Sequence, residues 1–122
     1  MSDKYKDLVA RYPKLFSGRC KYIECCDGWF SIINRLCLQL QYQTDFHGAP
    51  QLVVAQVKEK FGTLRFYVDG GPSERQYACI DRAEYLSART CEVCGDEGLP
   101  RQGGWIKVLC DKHANGSEVL DW

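Results

Sequence analysis

No apolar run in the sequence approaches the ~18–20 residues that a bilayer-spanning helix needs, which argues against a helical membrane anchor. Residues 1–7 are polar and charged, so no export signal is expected and the chain reads as a cytoplasmic protein. Neither sign of charge is in excess: sixteen Lys and Arg balance sixteen Asp and Glu. The chain as a whole therefore has no positive field to gather a phosphate-rich partner. Histidine is scarce, with two residues, and His47 lies in a Gly/Pro-containing stretch without an identifiable nucleophile partner. There is no Gly-rich phosphate loop, no HExxH and no nucleobase-deaminase pattern. The expectation is a non-enzymatic protein with no small-molecule substrate.

What the chain has is cysteine, eight residues in 122. In a secreted chain these would suggest disulfides; with no export signal expected, they point to reduced thiols and metal. The length suits one domain with a real core, to which a small metal lobe can be attached.

Tyr5, Leu8, Val9 and Tyr12 recur at helical spacing until Pro13 stops them, and Leu15 and Phe16 follow as an apolar anchor. A second helix begins near Trp29, with Asp27 as N-cap and Ile32, Ile33, Leu36, Cys37 and Leu40 on its apolar face. Residues 45–50 should break it. Residues 52–57 read as a buried strand, Phe61-Gly62-Thr63 as a hairpin turn, and Leu64, Phe66 and Val68 alternate along a second strand. Ser73 to Gln76 has capping-box spacing, and Tyr77, Ile80, Ala83, Glu84 and Ser87 line the next helix, with Cys79 and Leu86 extending its apolar face. The expected class is α+β, an antiparallel β-hairpin packed by about three helices, with residues 1–89 as the body and 90–122 as a zinc-binding lobe packed on it.

In that lobe, Cys91-Glu92-Val93-Cys94-Gly95 is a CxxC followed by glycine, and Cys110-Asp111-Lys112-His113 is a second pair at the same spacing. Two such pairs, each aimed by a tight turn, supply the four soft or borderline donors of a tetrahedral Zn²⁺ site. Residues 105–109 read as a short strand delivering Cys110, and His113 as the start of a helical turn. A treble clef and a zinc ribbon both fit, the former slightly better. Cys91, Cys94, Cys110 and His113 fill every coordination position, so one structural zinc ion is expected rather than a catalytic one. The lobe is acidic, with three basic residues against six acidic ones, whereas residues 1–89 carry thirteen against ten.

Cys37 and Cys79 fall on apolar helix faces and read as packing residues, as does Trp29. Cys20, Cys25 and Cys26 leave a second metal site open, although no pair among them has ligand spacing. Lys58, Lys60 and Arg65, with Tyr67 as a stacking surface, make a basic face on the hairpin that can meet a partner or simply be solvated.

Three segments resemble, together, a group of small and mostly uncharacterised proteins of bacteriophages, prophages and other mobile elements. They are Cys26-Asp27-Gly28-Trp29-Phe30, the run from Lys58 to Tyr67 (KEKFGTLRFY), and the run from Ser87 to Gly95 (SARTCEVCG). The resemblance spans roughly residues 13–113. It implies an accessory protein acting in a bacterial host cytoplasm, where such proteins bind and disable host factors, CRISPR and other defence systems among them. A host protein or protein complex is then the expected partner, and nucleic acid bound by the basic hairpin face is the alternative. The three cysteines in residues 20–26 exceed what the resemblance leads one to expect.

Overall fold

A computed structural model describes residues 1–120. Helix α1, Asp3–Arg11, is capped by Ser2, whose side chain accepts from the Tyr5 amide, and buries Tyr5 and Leu8. After the Leu15–Phe16 anchor comes β1, Ile23–Glu24, then a 3₁₀ turn, Asp27–Trp29, which leads into α2, Phe30–His47. Asp27 is not the helix cap expected of it. It opens the 3₁₀ turn, and no side chain caps α2. Nor does α2 break at Asp45: it continues to His47, where Gly48 takes φ 70° and closes it by donating a hydrogen bond from its amide to the Gln43 carbonyl. His47 is thus the last residue of a helix.

Strands β2, Val53–Lys60, and β3, Thr63–Asp69, pair antiparallel. Phe61 and Gly62 both have positive φ at the turn, as a two-residue hairpin with the right twist requires. The sheet is more than the expected hairpin, because β1 pairs with β2 in parallel, Ile23 opposite Val57. A two-residue strand is too short to leave a periodic trace in sequence.

Helix α3, Glu74–Ser87, opens with the expected capping box, Ser73 and Gln76 bonding each other's backbone. Its buried residues are Gln76, Ile80, Ala83 and Ser87, while Tyr77 is exposed, a correction of one residue at the first turn. The Gln76 amide is buried because it has partners: it donates to the carbonyls of Leu40 and Pro50 and to Thr44 Oγ1. On the other side, Ser87 and Glu84 accept from the amides of Leu64 and Phe66, so α3 covers the free edge of β3.

Val57, Leu64 and Phe66 from the sheet, Ile33, Leu36, Cys37 and Leu40 from α2, and Ile80 and Ala83 from α3 belong to one core with Trp29, Tyr5 and Leu8. The lobe beyond α3 holds a separate two-stranded sheet, β4, Leu99–Arg101, against β5, Lys107–Leu109. Trp105 lies before β5 and is 83% exposed, so the expected strand is shorter than residues 105–109. No helix of the described residues is long and apolar enough to cross a membrane.

Candidate metal centre

The first ligand pair sits in a turn whose two arms are tied at Thr90 and Glu97. Within it the Cys91 amide donates to the Asp96 carbonyl at 2.7 Å, and the Gly95 amide to the Cys91 carbonyl at 2.9 Å. Gly95 has φ 87°, the left-handed value that lets so short a loop turn back. A side chain at Gly98 would press on the Cys91 amide nitrogen at 2.8 Å, so that position must be bare for the arms to approach. The hairpin then brings the chain back: the Glu92 amide donates to the Val108 carbonyl, and Cys110 follows β5 directly.

The second pair lies in a turn closed by the His113 amide on the Cys110 carbonyl at 3.1 Å. No helix follows among the described residues, so His113 does not open the helical turn expected of it, nor the helix a treble clef would place there. The arrangement is two turns carried by one hairpin.

Ligand atoms of Cys91, Cys94, Cys110 and His113 all lie within 4.8 Å of one another. Cys94 Sγ is 3.7 Å from Cys110 Sγ, and His113 Nδ1 is 3.8 Å from Cys91 Sγ and 3.2 Å from Cys110 Sγ. A tetrahedral ion with metal–sulfur bonds near 2.3 Å and a metal–nitrogen bond near 2.0 Å has edges of about 3.8 and about 3.5 Å. Three thiols and one imidazole in that space fit one metal ion, with His113 ligating through Nδ1, the nitrogen that faces the sulfurs. Burial acts to raise the Cys91 thiol, but backbone amides of Cys110, Cys94 and Val93 point at its sulfur and bring it down to about 6. Such amides favour thiolate, the ligating form.

The site is fastened to the body through the 3₁₀ turn. The Gly28 amide donates to the Glu92 carbonyl at 2.9 Å, and the indole nitrogen of buried Trp29 donates to the Thr90 carbonyl at 2.9 Å. A side chain at Gly28 would run into the Cys91 carbonyl and the Glu92 backbone, while one at Gly95 would meet the Gly28 carbonyl at 3.1 Å. Tyr5 anchors the same turn from the far side by donating to the Cys26 carbonyl at 2.7 Å. The segments around Gly28 and Cys91, far apart in sequence, are therefore two halves of one contact.

Two charged residues that sequence reasoning passed over support this site. Glu92, 2% exposed, accepts from Lys107 Nζ at 3.3 Å within the lobe. Arg101, 7% exposed, donates to the Leu109 and Ser117 carbonyls and to Asp111 Oδ1 at 2.9 Å, gripping the chain on both sides of Cys110.

Lys58, Lys60, Arg65 and Tyr67 do share one face of the sheet, since Lys58 pairs with Arg65, Lys60 with Thr63 and Gln56 with Tyr67. Glu24 joins that face opposite Lys58, which dilutes its charge. Cys20, Cys25 and Cys26 form no group of three metal-ligating residues among the described residues. Cys37 is buried and Cys79 half-buried, both packed in or against the core. Compared with protein families, with curated proteins and with solved structures, the chain matches none.

Proposed function

We propose that this protein is a zinc-stabilised binding module whose metal is scaffold and whose partner is another protein. The observation that carries the reading is the closed donor set: three sulfurs and one imidazole nitrogen, each held by lobe backbone, leave a tetrahedral ion no position for water. Such a soft set of four suits Zn²⁺, which is redox-inert and, when bound, cross-links the two turns. The binding free energy of such sites, on the order of 10 kcal/mol, replaces the apolar core that the lobe lacks. The motif resemblance extends the proposal to a bacterial host factor, such as a defence component, as the protein that is bound and inhibited.

Metal analysis and cobalt substitution test the first half. One equivalent of zinc, and the intense visible bands of four-coordinate cobalt, are expected; absent zinc, or the weak bands of a site that keeps water, would sink it. Affinity capture from a host lysate tests the second, with a stoichiometric protein expected.

A second reading, binding to nucleic acid, is favoured by the common face of Lys58, Arg65 and Tyr67. A phosphate-driven contact should weaken steeply between about 50 and about 200 mM salt and respond to Lys58→Ala and Arg65→Ala. Zero net charge, the acidic lobe and Glu24 beside Lys58 weigh toward protein.

A further inference from the structure

The outer face of α2 is unlike an ordinary solvated helix surface. Leu38, Tyr42 and Phe46, one helical turn apart, are 55%, 49% and 72% exposed, and they lie opposite the buried Ile33, Leu36, Cys37 and Leu40. The rings of Tyr42 and Phe46 lie tilted against each other with centroids 5.0 Å apart, so these two form a continuous surface. A solvent-facing helix normally carries polar residues there.

The charges flanking the stripe say what covers it. Arg35 lies on the same outward side one turn before Leu38, and Asp45 follows Tyr42 beside Phe46; both are exposed. Neither forms an ion pair among the described residues, and Asp45 accepts only a hydrogen bond from Gln41 Nε2 at 2.9 Å. Their positions are symmetric. Leu38 and Tyr42 are equidistant from the level of Leu40, and so are Arg35 and Asp45. If α2 meets a second α2 running the opposite way, with the two-fold axis at that level, Leu38 faces Tyr42 of the other copy. Arg35 then faces Asp45 of the other copy at both ends. A two-fold interface must be self-complementary in this way, apolar with apolar and cation with anion.

We propose that the protein forms a two-fold dimer through antiparallel contact of α2 helices, with Leu38 and Tyr42 as its apolar centre, Arg35 and Asp45 as its paired ends, and Phe46 just outside them. A single helix pair covers less than the ~1,000 Å² expected of a tight interface, so the dimer is reversible, dissociating in the micromolar range. It lies across the body from the outer sheet face and is independent of the reading of the metal.

Sedimentation equilibrium of the zinc-loaded full chain, from about 5 µM to about 1 mM, measures this directly. Concentration-dependent dimerisation is expected. Tyr42→Asp should abolish it while circular dichroism stays unchanged, since Tyr42 is outside the core. Arg35→Glu or Asp45→Arg alone should weaken it about tenfold, because each symmetric contact turns repulsive, and the double variant should restore it. A chain monomeric at every concentration would overturn the proposal, as would a dimer indifferent to either single charge reversal or one that the double variant fails to rescue.

Discussion

The body and the lobe are built from the same alphabet and held together by different physics. In the body, Trp29, Tyr5, Leu64, Phe66 and the buried faces of α2 and α3 close on one another, and burial of apolar surface carries the fold. Beyond α3 the buried apolar residues among the described ones are Cys91, Val108 and Ala114, too few to form a core. There the chain is organised by the turns that gather Cys91, Cys94, Cys110 and His113, by glycines at its closest approaches and by the Arg101 fork. Small lobes need a staple, and the Cys3His group that could supply one adjoins the contact with the body, because Cys91 and Glu92 meet Gly28 at the same turn.

The largest effect should come from removing the metal. Chelation, or Cys94→Ser at an exposed ligand that costs no packing, should cost the lobe a stabilisation on the order of 10 kcal/mol. Hydrogen exchange should then show the amides of Glu92, Gly95 and Gly98 losing protection while those of α2 keep theirs. Simultaneous loss in both regions would break the comparison and make the protein one cooperative unit. Next is Gly28→Ala, whose methyl group meets backbone on the other side of the seam and cannot escape by changing rotamer. A cost of about 3 kcal/mol is expected, read by urea unfolding, together with weaker zinc retention in a chelator competition. Trp29→Phe keeps most of the buried ring but strands the Thr90 carbonyl, and should cost about 2 kcal/mol by the same measurement. If either seam variant leaves zinc retention untouched, body and lobe are less coupled than the contact implies.

These seam residues also show what sequence could and could not tell. The clustering of Cys91, Cys94, Cys110 and His113 was legible because CxxC and CxxH report a local requirement, two side chains aimed at one point by one turn. Helix α3 was legible for the same reason, Ser73 and Gln76 being only a turn apart. What escaped was non-local. Asp27-Gly28-Trp29 looked like a helix start because nothing near it reveals that Gly28 is bare to admit the Cys91 turn. Strand β1 exists because Ile23 lies beside Val57, and buried Gln76 displaces Tyr77 from the core because three acceptors in α2 and the following loop await its amide. The Leu38, Tyr42 and Phe46 stripe was readable as spacing, but its exposure depends on which side of α2 the sheet and α3 take.

The smallest effect sharpens the contrast through one residue type. In the body, burial pushes the Cys37 thiol up to about 12, and burial reinforced by Glu92 does the same to Cys25. In the lobe, amides draw Cys91 the other way, to about 6. For Cys25 and Cys37 the folded state holds its proton where an unfolded thiol, with a pKa near 8.5, has begun to lose it. The unfolded chain therefore binds fewer protons, and stability falls as pH rises through the window between about 8.5 and about 12. Between pH 8.5 and pH 9.5 the loss should be about 1 kcal/mol per thiol, and below about pH 7 neither contributes a slope. Urea unfolding of the zinc-loaded protein across that range, compared with Cys37→Ala, measures it: the variant is less stable everywhere, but its alkaline slope should be shallower. An unchanged slope would mean that Cys37 ionises in the folded protein as readily as in the unfolded one, and that the body does not treat its thiols as apolar groups.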